Sequence, residues 1–311
     1  MKSLLNNQVP QVCKLITILG PTATGKTRLA AQLAYYFNGE IISADSRQVY
    51  KGMDIGTGKD LNDYNVNNQL INYHLIDIAD PVDEFNLFLF KKHFYESFRK
   101  IIEKNKLPFL VGGTGLYLSS VLQNYQLSKV NFESERFAEL NSLDLKELQS
   151  ILRTLVSKLH NTTDLLNKGR LIKAIIVAEE QKQIPEDKIE FDSLIIGVLP
   201  PRHIIKQKIT ERLQYRLQNG MIDEVKMLID NQISFEKLNF FGLEYKYIGL
   251  YLKKELSYND MYQKLNSAIH SFAKRQITWF KKMEKECIKI NWINSADFEK
   301  AAEIIKLTFN L

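Results

Sequence analysis

The chain has 311 residues, 45% hydrophobic and 25% charged, with a formal net charge of +6. That balance describes a soluble globular protein large enough for one domain with an insertion, or for two domains. No apolar run is long enough to span a bilayer, no signal-peptide pattern opens the chain, and Cys13 and Cys287 are too few for a disulfide framework or a zinc site, so the expected home is the reducing cytoplasm.

Met1 to Val12 is a short polar lead. Lys14-Leu15-Ile16-Thr17-Ile18-Leu19 is apolar and rich in β-branched residues, which predicts a buried strand. Gly20-Pro21-Thr22-Ala23-Thr24-Gly25-Lys26-Thr27 then fits G-x-x-x-x-G-K-[ST], the phosphate-binding loop. Leu29, Ala30, Leu33, Ala34 and Phe37 recur at helical spacing behind it. The loop therefore joins a strand to a helix N-terminus, where N–H groups and the helix dipole favour an anion. Lys26 is expected on the terminal phosphate oxygens, and the Thr27 hydroxyl is expected to ligate Mg²⁺. A chance match in a surface loop is the competing reading, and the flanking strand and helix disfavour it.

Gly39 reads as a helix stop. Glu40 to Ala44 reads as a second strand, which delivers Asp45-Ser46-Arg47-Gln48 to the edge where ligands sit in open α/β sheets. Gly52 to Asn68 is a polar, glycine-bearing loop over the site. Tyr73 to Ile78 is a third strand candidate. Asp83 to Lys104 carries Phe85, Leu89, Phe90, Phe94, Phe98, Ile101 and Ile102 at helical spacing, aromatics expected in the core. Pro108 to Val111 is a strand running into Gly112-Gly113-Thr114-Gly115, a second close approach of backbone to a ligand or a neighbouring helix. Alternating strands and helices predict a parallel, doubly wound sheet.

Leu118 to Lys188 offers helices and little strand signal. Leu194 to Val198 restores the strand pattern. From Pro200 the chain reads as helical, with helices over His203 to Gly220, Met221 to Ile229 and Met261 to Lys285. The expected organisation is α/β: a phosphate-loop core over 12–122, a mostly helical insertion over 123–188, and a return to the core with basic C-terminal helices over 189–311. Lysine and arginine cluster at 91–92, 99–100, 206–216 and 274–285, and each cluster alone reads as a solvated helix face. His74, His93 and His203 show no metal-ligand spacing and are expected to be structural.

Three chemistries suit such a loop. A small-molecule kinase needs a Mg²⁺-bound nucleotide and arginines that close over it. An NTP-driven switch needs a metal-holding aspartate at a strand end, for which Asp77 is the candidate. A transferase can hold a diphosphate in the loop as its leaving group. Asp45 would be a general base for a kinase or for such a transferase, and the bland alternative is an aspartate that caps its own turn.

The motifs taken together carry a resemblance. Gly20 to Thr27, Ile41-Ile42-Ser43-Ala44-Asp45-Ser46-Arg47-Gln48-Val49-Tyr50, Asp54-Ile55-Gly56-Thr57-Gly58-Lys59, His74-Leu75-Ile76-Asp77, Leu110 to Tyr117 and Ala273-Lys274-Arg275-Gln276-Ile277-Thr278-Trp279-Phe280 resemble the tRNA dimethylallyltransferases, in that family's order. The resemblance implies a phosphate-loop fold like that of the P-loop NTPases. It also implies transfer of a dimethylallyl group from dimethylallyl diphosphate to the exocyclic amine of the adenosine 3′ of the anticodon, with Mg²⁺ required. The loop then holds the prenyl diphosphate. Asp45 resembles the base, Thr27 the hydroxyl near the diphosphate, and Arg212 the arginine that helps to bind it, with Lys208 at another usual arginine. Asp45, Ser46, Arg47 and Gln48 resemble the grip on the extruded adenosine, and Thr114 and Gly169-Arg170-Leu171-Ile172-Lys173 resemble positions that touch tRNA. Lys173 replaces a usual arginine, which keeps the charge and loses the fork. Gln123 to Thr163 is short and matches the family poorly. Lys274, Arg275, Lys281 and Lys282 beside Trp279 and Phe280 could grip phosphates and stack bases, or the two aromatics could pack the helix on the core. The expected partners are the anticodon stem-loop and dimethylallyl diphosphate, with no membrane, and a monomer is expected. An adenylate prenyltransferase and a phosphate-loop kinase are the alternatives.

Overall fold

Six parallel strands form one sheet in a computed structural model that describes residues 13–125, 135–155, 167–180 and 190–310. β1 (Cys13–Leu19) feeds the glycine loop and α1 (Lys26–Tyr36), and β2 (Gly39–Ala44) follows. A small hairpin of β3 (Asn65–Val66) and β4 (Gln69–Leu70) turns through Asn67 and Asn68, both at positive φ, as a two-residue turn of this kind requires. Then come β5 (Tyr73–His74), α2 (Leu87–Glu103), β6 (Leu107–Gly112) and α3 (Gly115–Leu122). α4 (Glu135–Ser142), α5 (Leu145–Leu155) and α6 (Lys168–Glu180) precede β7 (Phe191–Val198). α7 (Arg202–Gln218), α8 (Met221–Asp230), α9 (Phe235–Phe241), α10 (Leu243–Leu252), α11 (Tyr258–Lys285), β8 (Asn291–Ile293) and α12 (Phe298–Phe309) complete the chain.

The strand order is β5-β2-β6-β1-β7-β8. β1 lies between β6 and β7, so the chain winds outward from it in both directions, and its C-terminal end is a topological switch point. One face of the sheet packs α1 and α12. There Ile16, Ile18, Phe109, Val111, Ile196 and Val198 alternate inward against Leu29, Leu33, Ala301 and Ile305. α2 packs on β2 and β6, and its Phe94 and Phe98 rings meet Phe191 with centroids 6.4 and 5.5 Å apart. Every residue of β2 is buried, as a strand covered on both faces must be.

The chain divides into two compact units, Met1–Gln123 with Glu190–Leu311, and Asn124–Ile189. The second has its own core of Leu140, Leu148, Leu152, Leu171, Ile172, Ile175 and Ile176. No helix among the described residues is long and apolar enough to cross a membrane. The lead at 1–12 and much of the weakly matching stretch after Gln123 lie outside the described residues.

Three expectations change. The left-handed residue that ends α1 is Asn38, at φ 50°, not Gly39. Gly39 is needed because a Cβ there would meet the Phe109 ring and the Leu107 carbonyl. The Tyr73 to Ile78 strand stops at His74, because Leu75 and Asp77 turn to φ 66° and 55°. The C-terminal part is not wholly helical, because Asn291–Ile293 pairs with β7. Three residues on a sheet edge are too few to show an alternation.

At the opposite end of β2 from the loop edge, Glu40 is fully buried. Its carboxylate accepts from Asn72 at 3.0 Å, His74 at 2.8 Å, Lys104 at 3.3 Å and Lys106 at 2.9 Å. Burial pushes the Glu40 pKa up, but these donors outweigh it and pull it from 4.5 down to about 2. A depressed carboxylate pKa stabilises the fold above the unfolded value and loses that contribution as pH falls through the folded one. Glu40→Gln is therefore expected to cost about 2 kcal/mol at neutral pH. The gap from wild type should close as pH falls from 4.5 toward about 2, as read by urea melts across that window.

Candidate active site

The glycine loop crosses the switch point. Ala23 and Gly25 take φ 64° and 80°, the left-handed backbone geometry from which concave nests of N–H groups are built. Gly20 has no room for a side chain, since a Cβ there would lie 2.6 Å from the Val198 carbonyl at the end of β7. Thr24 turns its hydroxyl back to the Pro21 carbonyl at 3.0 Å and so shapes the loop. Thr22, Ala23, Thr24, Gly25, Lys26 and Thr27 line a cavity of about 300 Å³, together with Asp45, Gln48, Thr57, Gly58, Asp60, Asp63, Lys208 and Arg212. Thr22, Lys26, Asp45, Thr57 and Arg212 also line a second compartment of about 630 Å³, so the two share a wall.

The larger compartment is walled by Ser46, Arg47, Thr114, Phe241, Tyr245, Ile269, Phe272, Arg275 and Trp279, among others. It is more apolar than the smaller one and suits a ring and a hydrocarbon group.

Asp45 stands between the compartments. One carboxylate oxygen accepts the Arg47 N–H at 2.9 Å. The turn-capping reading is thus part of the truth, and it occupies one oxygen only. The Ser46 N–H donates to the Thr114 hydroxyl at 3.3 Å, which ties the two loops at the strand ends together. Gln48 accepts from the Ser43 hydroxyl at 3.2 Å and donates to the Gly58 carbonyl at 3.0 Å. The Arg47 guanidinium lies 4.7 Å from the Phe240 ring centroid.

Cations gather around the shared wall. Lys26 approaches the Pro21 carbonyl at 3.4 Å. Burial, then Arg212, lower its pKa from 10.5 to about 8, against the pull of Asp45. Arg212 donates to the Thr22 hydroxyl. Its pKa is lowered to about 10, first by burial and then by Arg216. Lys208, Arg212 and Arg216 repeat every four residues on α7 and so share one face. The solvated-face reading of this cluster is wrong for Arg216, which is 6% exposed and reaches Asp60 at 3.4 Å. The spacing from Arg212 was the available signal. Burial raises the pKa of Glu244, which lines the larger compartment.

Sequence reasoning also missed Gln276 as a structural link. Buried on α11, it accepts the Thr22 N–H at 2.9 Å and donates to the Gly113 carbonyl at 2.8 Å. A Cβ on Gly113 would strike Gln276 and one on Gly115 would strike Trp279, so the second glycine turn admits a neighbouring helix. The two aromatics divide. Phe280 is fully buried and near Trp292, where no base can stack on it. Trp279 lines the larger compartment and donates to Ser119 at 2.9 Å.

The remaining expected residues divide between α11 and α6. Lys274 is exposed on α11 and outside both compartments, whereas Arg275 lines the larger one. Gly169, Arg170 and Lys173 belong to α6 of the second unit, with Gly169, Arg170 and Lys173 exposed. Leu171 and Ile172, the other two residues of that stretch, have their side chains buried in the unit's core. Asp77 lines neither compartment and instead accepts from Lys59, so it is not the metal-holding aspartate of a nucleotide switch.

The fold and site define an α/β phosphate-loop protein with a carboxylate between an anion cradle and an apolar chamber. A family profile described as IPP transferase matches residues 48–283, and one described as isopentenyl transferase matches residues 13–70. The tRNA dimethylallyltransferase 1 of Geotalea uraniireducens is 49% identical over 298 residues, covering 95% of this chain and 98% of its own. The tRNA dimethylallyltransferase 2 of Phocaeicola vulgatus is 50% identical over 284 residues, covering 90% and 92%. The crystal structure of a full-length tRNA isopentenylpyrophosphate transferase from Bacillus halodurans superposes with a TM-score of 0.68 at 31% identity, covering 96% of this chain and 95% of that one. A eukaryotic dimethylallyltransferase acting on tRNA gives a TM-score of 0.71 at 23% identity, a likeness of fold alone. The chain belongs to the IPP transferase family.

Proposed function

We propose that the protein transfers a dimethylallyl group from dimethylallyl diphosphate to the N6 amine of adenosine 37 in tRNAs that read codons beginning with U. The products are N6-(dimethylallyl)adenosine and diphosphate. The observation that carries this reading is the wall shared by the two compartments: Lys26 and Arg212 face a polar cradle of diphosphate size, and Asp45 faces both it and the apolar chamber. The bond from the allylic carbon to the diphosphate oxygen breaks, and the bond from N6 to that carbon forms. The N6 proton passes to the free carboxylate oxygen of Asp45 as or after the new bond forms, because the amine is barely acidic. Loop N–H groups, Lys26 and Arg212 meet the charge that gathers on the departing diphosphate.

The donors around the cradle fit Mg²⁺. The Thr27 hydroxyl and the carboxylates of Asp60 and Asp63 are hard oxygen ligands, and Mg²⁺ is commonly held by one or two such groups with substrate phosphates. When bound, the ion would neutralise charge on the diphosphate.

An adenine in a stacked anticodon loop must be extruded to reach Asp45, at a cost of a few kcal/mol. Arg47, Arg275 and Trp279 on the chamber wall supply charge and an aromatic face to offset it. We assign Ser46, Arg47, Gln48 and Thr114 to the grip on that nucleotide, and exposed Lys274, Arg170 and Lys173 to phosphate contacts. The anticodon stem-loop is the proposed RNA partner, and the protein acts in the cytoplasm as a monomer. Purified protein incubated with dimethylallyl diphosphate and an anticodon stem-loop should yield dimethylallyl-adenosine by nucleoside mass spectrometry. Preference for AMP over the stem-loop would assign it to the adenylate prenyltransferases, and phosphoryl transfer from ATP without prenyl transfer would make it a kinase.

A further inference from the structure

Glu224 stands in the first turn of α8, far along the chain from the loop it touches. One of its oxygens accepts the N–H groups of Asp54 at 2.8 Å and Ile55 at 2.6 Å. The other accepts the Gly56 N–H at 2.9 Å and the Tyr245 hydroxyl at 2.7 Å. Three successive amides converging on one carboxylate form an anion nest, and the charge on the acceptor strengthens each bond.

The loop held in this way is part of the site. Thr57, the next residue, lines both compartments, and Gly58 lines the smaller one. The Gly58 carbonyl takes the Gln48 side chain, and a Cβ on Gly58 would run into the Arg216 guanidinium. Gly56 is as tight against Tyr245, where a Cβ would lie 2.7 Å from the ring hydroxyl. The backbone therefore has no slack on the side that faces α7 and α10. The three loop amides that donate to Glu224 tie this backbone to α8, while Gln48 holds the Gly58 carbonyl and Lys59 reaches the Tyr50 carbonyl.

We propose that Glu224 is a positioning residue for the transfer reaction, holding the Asp54–Lys59 loop so that Thr57 and Gly58 close the cradle beside Arg216. The inference rests on the prenyl-transfer reading above. The contacts at stake are made to the diphosphate before and during reaction alike. Their loss should raise KM for dimethylallyl diphosphate and leave kcat nearly unchanged.

Glu224→Gln removes the charge and turns an NH₂ group toward the amides. Glu224→Asp keeps the charge with a shorter reach. The expected result is a KM for dimethylallyl diphosphate raised about tenfold in the Gln variant and about threefold in the Asp variant, with kcat within about twofold of wild type. Amide exchange at Asp54, Ile55 and Gly56 should quicken at least about tenfold in the Gln variant. Should the Gln variant not fold, the Asp variant is read alone on the same two measurements. A wild-type KM and wild-type exchange in the folded variants would overturn the proposal. A lowered melting temperature with unchanged KM would overturn it as well, leaving Glu224 a purely structural role. Wild-type protein without prenyl transfer would remove the transfer reading and this proposal with it.

Discussion

Asp45→Ala is expected to lower turnover by about 10²-fold or more while leaving tRNA binding intact. The alanine variant alone would be ambiguous, because Asp45 does two things. One oxygen caps the turn by accepting the Arg47 N–H, and the other is available to the shared wall of the two compartments. Asp45→Asn separates these roles. Its amide oxygen can still accept from Arg47, but the group has no basicity at neutral pH. If proton transfer is the role, the Asn and Ala variants fall together in kcat, and the Asn variant keeps the wild-type melting temperature. If the cap alone matters, Asn restores wild-type turnover, and the assignment of Asp45 as base fails. Filter binding of the stem-loop, measured beside kcat, confirms that the loss lies in turnover and not in occupancy.

What could be read from the sequence was local in origin. A strand, a glycine loop with Lys26 and Thr27, and an apolar helix sit within 25 residues of one another, so spacing alone set out the cradle. Asp45 was legible because a strand end places whatever follows it at the ligand edge. The residues that hold these pieces together were not legible in that way. Gln276 and Glu224 act on backbone groups 254 and 170 residues away, and no periodicity announces such a contact. Arg216 lay within a basic cluster in which Lys206 and Lys208 are exposed, and only its four-residue step from Arg212 set it apart. The resemblance supplied Arg212 and the prenyl chemistry, which spacing could not. Its stretch from Gly169 to Lys173 came as a unit, yet the helix turns Leu171 and Ile172 inward, because a contiguous motif on a helix must present some residues to each side. Trp279 and Phe280 show the same thing at closer quarters: neighbours in sequence, one lines the chamber and the other is core.

Lys26→Ala is expected to lower kcat/KM for dimethylallyl diphosphate by about 10²- to 10³-fold, the loss typical of deleting one preorganised donor to a developing anion. The wild-type pH profile carries a further signature. Withdrawal from water and the neighbouring Arg212 disfavour the charged ammonium, and the resulting pKa of about 8 lies near the working range. The charged form binds the diphosphate. Below about 8 the free protein holds that charge, and above it the charge is lost, so kcat/KM should fall as pH rises through this value. Because kcat/KM reports the free protein, the limb should be weaker in kcat, where bound diphosphate favours the ammonium and moves its titration upward. Lys26→Arg provides the control. An arginine keeps its charge across the same range, so the limb near pH 8 should disappear even if the fork fits the loop poorly and the plateau drops. A limb that persists unchanged in the arginine variant would assign the titration to another group and remove Lys26 as its source.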